Sequence, residues 1–440
     1  MTDLERAYKA LKAKSPVMTR YYQYYEGDQP TVYTAKRLEE IFQGLDANFT
    51  QNWCAVVVDS VRDRINLRNI TVSSAADAWQ AIMDDNQLLL ESDDVHEAAL
   101  VTGEAFYIAW PDEDGNVQGF ANDPWMCHVF YRADNPRQKE FAAKWFRAGD
   151  ELRLTLYYPD RLEYYTARQK EGLPENANAF RPAEPDQAEN PYGMIPVFHF
   201  RLGRRPHSDL KNVLPIQNGI NKLLADMMVA AEYGAFKQRW VISNAEELGK
   251  LKNAPNEVWS IPAGDGVGQQ TTVGQFDATP LKNYLDAIDS QSMAISSITR
   301  TPKHYFFSIG SNLSGEALNA METPLNKKAQ DRIDRFMPEW RAVTQFMLRV
   351  AGFDVPMSEV LVEFDRPELV QPRSDAETTQ MEVNAGIPLR TAVRRRGWSD
   401  AQIAQMEQDR ADEKAAEQAS LATALLDAQR RLDQGNNSLG

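Results

Sequence analysis

The spacing of apolar residues divides the chain into two parts of different character. The first fifty residues read as helix, with the aromatic run YYQYYEGDQP (21–30) closed by Gly27 and Pro30. From Asn52, NWCAVVVDSVRDRINL carries an apolar stripe at helical spacing. SDDVHEAALVTGEAFYIAWPDEDGNVQ starts as a helix and passes into a strand at Ala105–Trp110, and Asp114-Gly115 is a hairpin turn signal. FAAKWFRAGDELRLTLYYPDRLEYYTA alternates apolar and polar residues on both sides of Gly149-Asp150, which predicts a second hairpin. PENANAFRPAEPDQAENPYG (174–193) is polar and proline-rich and reads as a loop. Roughly the first 200 residues are thus expected to form an α+β domain.

The remainder is mostly helical. In LPIQNGINKLLADMMVAAEYGAF, Ile216, Ile220, Leu223, Leu224 and Met227 fall at helical spacing, and Pro215 suits a first turn. A strand-and-turn insert at about 239–277 contains VWSIP and the glycine-rich GDGVGQQTTVG. A second helix is predicted from Thr279 as N-cap and Pro280 as first residue, with Leu281, Leu285, Ile288 and Ile295 on one face, ending before Pro302. HYFFSIGSNLSG then sets three aromatics against a Gly/Ser/Asn stretch of loop composition. Next, Leu318, Met321, Leu325, Ala329, Ile333, Phe336, Trp340, Val343, Met347 and Val350 step by three or four. A helix over 314–351 would be about 57 Å long. Ser314 suits its N-cap and Glu316 its N-terminal dipole. Pro324 cannot donate to the Ala320 carbonyl, so a kink is expected there, and Pro338 is placed for a second bend. Gly352 ends the helix, VLVEFDRP reads as a short strand, and two further helices precede a tail, GNNSLG, expected to be disordered.

Composition narrows the function. The chain has 440 residues, a length that suggests about two to four domains. It lacks an 18-residue apolar run, so no membrane span is expected, and its N-terminus lacks the apolar core of a signal peptide. The sequons at Asn48 and Asn69 therefore carry little weight. Two cysteines, Cys54 and Cys127, fit a reducing cytosol rather than a disulfide framework. The net charge of −15 argues against gripping nucleic acid over a broad surface and leaves room for letting it slide past.

No P-loop, HExxH, paired CxxC or GxSxG motif is present, and the five histidines (96, 128, 199, 207, 304) are scattered. GDGVG at 264–268 lacks the third glycine of a dinucleotide loop and reads as a turn. The acidic pairs Asp112/Asp114 and Asp365/Glu368 have the chemistry for a metal, but the first sits in a hairpin turn, where solvated acids are common. Lys327, Lys328, Arg332 and Arg335 form a basic ridge on the long helix, open to three readings: a solvated face, subunit contact or DNA contact. Phe336 and Trp340 read as core or subunit interface, and Tyr305–Phe307 as a loop tucked into the core or as a working loop. No catalytic residue, metal or cofactor is expected.

The order of elements, together with several motifs, resembles the portal proteins of tailed bacteriophages, of the siphophage head-to-tail connector type. YYQYYEGDQP with NWCAVVVDSVRDRINL is similar to that family's aromatic–Gly motif and Val-Val-Asp-Ser helix, and LVTGEAFYIAWPDEDG to its Gly-Glu-Ala-Tyr strand. NPYGMIPVFHF with SDLKNVLPIQNGINKLLADMMVAAEYGAFKQRWV is similar to its Pro-Val strand and stem helix, and SNLSGEALNAMETPLNKKAQDR to the start of its long helix. The likeness runs over about 20–400; INLRNITV departs from it where a Gly-Phe would be expected.

The resemblance implies an α+β portal fold: a wing (1–207), a stem of two helices (208–238 and 278–300), a small α/β clip (239–277), a tunnel loop (301–313), a long kinked helix with a wing strand (314–373) and a helical crown with tail (374–440). It implies a ring of twelve copies at one capsid vertex, through which double-stranded DNA is packaged and ejected, assembled in the host bacterial cytoplasm and retained in the virion. Implied partners are the terminase large subunit, major capsid and scaffolding proteins and a head-completion adaptor, with no membrane. Tyr305, Phe306, Phe307, Ser308 and Asn312 would face DNA in the tunnel loop, and Asn253, Asn256, Glu257 and Trp259 of the clip would meet terminase or adaptor. The rival reading is another phage head structural or maturation protein with metal-dependent nuclease activity.

Overall fold

The computed structural model describes residues 1–30, 50–170, 172–235, 239–242, 272–277, 279–307, 315–368, 372–396, 398 and 402–416. The chain divides into two units, Met1–Pro367 and Glu368–Gly440.

The first unit opens with helix α1 (Asp3–Glu26), followed by α2 (Trp53–Arg62), β1 (Leu67–Val72), α3 (Ala76–Asp85) and α4 (Leu88–Thr102). Strands β2 (Glu104–Pro111) and β3 (Val117–Asn122) form the hairpin expected at Asp114-Gly115, and Gly115 takes the left-handed conformation the turn needs (φ +85°). Then come β4 (Cys127–Tyr131), β5 (Lys139–Ala148), β6 (Glu151–Tyr157), β7 (Arg161–Arg168), β8 (Arg181–Glu189) and β9 (Val197–Arg201). The predicted second hairpin is β5–β6. Strands β4 to β8 form a five-stranded antiparallel sheet in chain order, while β3-β2-β9 form a three-stranded one.

Strand β8 lies where the sequence predicted a loop. Its residues are almost all solvent-facing, and it pairs with β7 as the last strand of its sheet. An edge strand needs amide donors on one side only, so Pro182 and Pro185 are tolerated there.

Strand β2 is buried on both faces because the period of two sends alternate residues into different cores. Ala105, Tyr107 and Ala109 join the main core; Phe106 and Ile108 meet Cys127, Val129 and Ala142 of the five-stranded sheet. Helix α1 packs Ala7, Tyr8 and Leu11 against Phe141, Trp145 and Leu154 of that sheet.

The second half of this unit contains helix α5 (Leu214–Ala235), strands β10 (Arg239–Ile242) and β11 (Thr272–Gln275), helices α6 (Lys282–Thr299) and α7 (Gly315–Val350), and strand β12 (Val360–Phe364), which pairs with β1. Helix α6 starts later than Thr279 and Pro280 predict: Leu281 is its cap residue, with no side-chain capping bond. A Cβ on Gly219 of α5 would lie 2.5 Å from Gln291 of α6, so a bare backbone lets these helices approach closely. In the β10–β11 hairpin Trp240 covers Gly274, its cross-strand partner, where a Cβ would meet the indole at 2.3 Å. Helix α5 carries two buried amides: Gln217 accepts from the Trp53 amide at 3.1 Å, and Asn221 accepts from the Gln51 amide at 3.3 Å.

The main core is the α7 stripe. Leu325, Ala329, Ile333, Phe336, Trp340, Val343 and Met347 are buried against α2, α3, His96 of α4, β2, β9 and the β1–β12 pair. Within it, the Trp340 indole donates to His96 Nε2 at 3.0 Å, and Phe336 stacks on the imidazole.

In the second unit α8 (Pro372–Asn384) and helical residues 402–416 fall where the sequence predicts two helices, and a further short helix, α9 (Leu389–Arg395), lies between them where none was predicted. Glu382 of α8 holds Arg396 at 2.7 Å and Arg395 at 3.5 Å.

Two buried polar groups set stability predictions. Lys14 of α1 lies 2.8 Å from Glu104 on β2 and donates to the Cys127 carbonyl at 2.6 Å, and His199 on β9 lies 2.6 Å from the other Glu104 oxygen. Burial opposes ionisation of Glu104, but Lys14 and His199 outweigh it and hold the carboxyl well below the usual range. Lys14→Met should cost about 3 kcal/mol in urea denaturation, because it strips a buried carboxylate of its counter-ion, and Lys14→Met with Glu104→Gln should recover much of that. Burial pushes the His96 pKa down to about 3. Unfolded, the ring titrates near 6.5. A folded value below the unfolded one makes this contribution complete above about pH 6.5 and lost as the pH falls below it. Denaturation between pH 7 and 5 should therefore show a loss of up to about 1.4 kcal/mol per unit from this group. His96→Gln should remove that share of the slope.

Candidate functional site

The region of interest begins where α6 ends. Thr299 donates to the Ile295 carbonyl, its hydroxyl lies 3.0 Å from that of Thr301, and Ser296 donates to the Thr301 carbonyl at 2.7 Å. Arg300 takes the left-handed conformation (φ +61°) and turns the chain out of the helix. Lys303–Tyr305 then forms one 3-10 turn, closed by the Phe306 and Phe307 amides donating to the Lys303 carbonyl at 3.0 and 3.1 Å.

The aromatic trio divides. Phe306 is buried, with its ring 5.1 Å from that of Trp53 and nearly edge-on. Phe307 is half-buried against the same core. Tyr305 receives a hydrogen bond at its hydroxyl from Arg64, at 2.9 Å. Arg64 also pairs with Glu322 at 2.7 Å, and His304 Nε2 lies 2.7 Å from the second Glu322 oxygen. Ser308 and Asn312 lie outside the described residues, as do Asn253, Asn256, Glu257 and Trp259.

Helix α7 runs 36 residues through both Pro324 and Pro338. Its basic ridge also divides. Lys328 is 9% exposed, 3.1 Å from Asp209, and donates to the Thr299 carbonyl at 3.3 Å. Burial pushes its pKa down, and the Asp209 carboxylate works against that shift. Arg332, one turn on, pairs with the same carboxylate at 2.9 Å and with Asp331 at 2.8 Å. These two cations are committed inside the subunit. Lys327 is exposed, and Arg335 is exposed and pairs with Asp331 at 2.9 Å.

Helices α5 and α6, with their hairpin, leave apolar side chains uncovered. The α6 stripe predicted from Leu281 to Ile295 is covered only in its second half: Ile288 and Ile295 are buried, whereas Leu281 and Leu285 are exposed. Met293 and Ile298, five residues apart, lie exposed on two other sides of α6, and Ile242, Val273 and Phe276 are exposed at the hairpin.

The family model for phage portal protein, SPP1 Gp6-like, matches residues 5–419. The chain belongs to this portal family. None of the curated proteins matches it. Portal proteins are structural components of the phage virion that serve genome packaging and the head–tail connection. Among the described residues of this portal chain, no group of three or more His, Cys, Asp or Glu is placed to hold a metal ion, and no helix is long and apolar enough to cross a membrane. Asp112 accepts from the amides of Asp114 and Asn116 at 3.0 and 2.8 Å, which makes it a turn-closing residue.

Arg64, Asp209, His304 and Glu322 did not stand out in the sequence as a set. One signal was available: Glu322 and Lys328 fall on the apolar stripe of α7, at helical spacing from Leu318, Leu325 and Ala329. A charge in such a stripe needs a buried partner, although the sequence does not say which.

The burial difference within the trio sets the next prediction. Phe306→Ala should cost about 3 kcal/mol of stability in thermal or urea unfolding. Phe307→Ala should cost under about 1.5 kcal/mol.

Proposed function

We propose that this portal chain assembles into a closed ring of twelve copies at a single capsid vertex, with phage DNA passing through its centre. The carrying observation is the apolar surface left uncovered on α6 and the β10–β11 hairpin. Exposed Leu285, Met293 and Ile298 are surface that a lone subunit leaves wet. Neighbouring copies, related by rotation, would cover these sides of α6 with different surfaces of their own, and repetition of that contact closes a ring.

In this reading residues 1–207 form the wing, α5 and α6 (within 208–238 and 278–300) the stem, 239–277 the clip, and 374–440 the crown and tail. The clip, with Asn253, Asn256, Glu257 and Trp259, receives terminase during packaging and the head-completion adaptor afterwards. The segment 301–313 is the tunnel loop, and the helix from 314 onward, bent at Pro324, carries its far end into the wing. Buried Phe306 supports an anchoring role for that aromatic, which leaves Phe307 with Ser308 and Asn312 to meet DNA. Lys327 remains available to DNA or to a neighbouring copy, whereas Arg335 is paired with Asp331 and Lys328 and Arg332 are engaged with Asp209. The net charge of −15 supports a conduit along which the phosphate backbone slides rather than binds.

Light scattering of the purified chain, with negative-stain imaging of the same peak, tests the reading. Twelve copies of 49.8 kDa give a particle of about 600 kDa with a central hole. A 50 kDa species at every concentration and salt would overturn assembly by the chain alone. Leu285→Glu with Met293→Glu should abolish the ring and leave the unfolding midpoint of the subunit in place.

A further inference from the structure

Glu322 is 3% exposed on the apolar stripe of α7, a position that is tolerable for a carboxylate only with buried partners. Its partners come from two distant stretches, Arg64 just beyond α2 and His304 in the turn after α6. Arg64 is itself buried. Its Nε donates to Asn326 at 3.1 Å and one Nη to the Ser60 carbonyl at 2.7 Å, while the other Nη reaches both Glu322 at 2.7 Å and the Tyr305 hydroxyl at 2.9 Å. The guanidinium therefore ties together the end of α2, two successive turns of α7 and the 303–305 turn. His304 Nδ1 is buried without a hydrogen-bond partner, so Glu322 is the polar contact that orients this ring.

We infer that Arg64, Glu322 and His304 form a latch, a set of positioning residues that holds the arm 301–307 against α2 and the first turns of α7. Trp53 opens α2 and Arg64 stands in the turn that closes it, eleven residues or about three helical turns on, which leaves the two on one side of this segment. Phe306 packs on the first while Tyr305 is held by the second, so the arm lies along that side. One attachment is apolar and the other ionic. The arm's own backbone contributes little beyond the bonds of a single turn. On the α7 side, Glu322 sits in the turn that Pro324 weakens, because the Ala320 carbonyl receives no amide from a proline. The ion pair thus reinforces the helix where its backbone ladder is broken, and releasing it frees the arm together with residues 315–323.

This inference deepens the tunnel-loop reading of 301–313 and rests on it for its functional meaning, but its test does not. Amide hydrogen exchange is measured on the purified full-length chain for wild type, E322Q, R64M and the double variant. The amides of Tyr305, Phe306 and Phe307 should exchange on the order of tenfold faster in E322Q and in R64M, with α4 and β2 unchanged. The double variant should add nothing further, since both changes open one contact. Should E322Q fail to fold, H304N offers a milder opening, with an expected acceleration of about threefold at the same amides. Unchanged exchange at 305–307, or an equal rise throughout the core, overturns the latch. DNA retention in filled heads carrying E322Q separates the two readings: faster exchange with normal retention keeps the latch and removes the loop's role at the channel.

Discussion

The first unit depends on burying one helical stripe. Helix α7 extends about 54 Å over its 36 residues, far longer than an isolated helix needs to be. It is held by what its apolar face meets rather than by propensity, since it contains two prolines. α2, α3, β2, β9 and the β1–β12 pair each supply one side of that burial. None of these pieces could form a core alone: α2 is ten residues long and β1–β12 is a two-stranded ribbon. The stripe also joins segments far apart in sequence, so this part of the fold forms only when residues near 60, 100, 200 and 340 come together.

Where the stripe is interrupted by charge, the charge serves as a connector. Glu322 gathers Arg64 and His304, while Lys328 and Arg332 gather Asp209, the residue that leads into α5. Lys14 and Glu104 play a similar part for α1. Such pairs contribute less to stability than apolar residues of the same size would, because desolvation cancels much of the attraction. They specify geometry instead: an ionic contact tolerates one arrangement, whereas a greasy face can slide.

Much of this architecture was legible in the sequence. The α7 stripe, both hairpins, the two helices flanking the insert and the change of character near residue 200 all follow from periodicity and turn chemistry. Strand β8 was not legible, because its polar, proline-bearing sequence carries no alternation; it is a strand by virtue of the neighbour it pairs with. The start of α6 was misplaced because Thr279-Pro280 imitates a capping pair that the helix does not use. At the candidate site, residue types were readable and partners were not. Lys327, Lys328, Arg332 and Arg335 look alike in sequence, yet two are engaged inside the subunit because Asp209, more than a hundred residues earlier, lies beneath them. The burial of Phe306 likewise depends on Trp53, a contact that no local pattern encodes.

The prolines of β8 have a consequence for a protein that must meet copies of itself. An outermost strand normally offers a row of unpaired amides, and any other strand that finds them can extend the sheet without limit. Pro182 and Pro185 present no amide hydrogen, so neither can donate to an added strand. This edge is therefore a poorer template for strand-by-strand growth than an unbroken one.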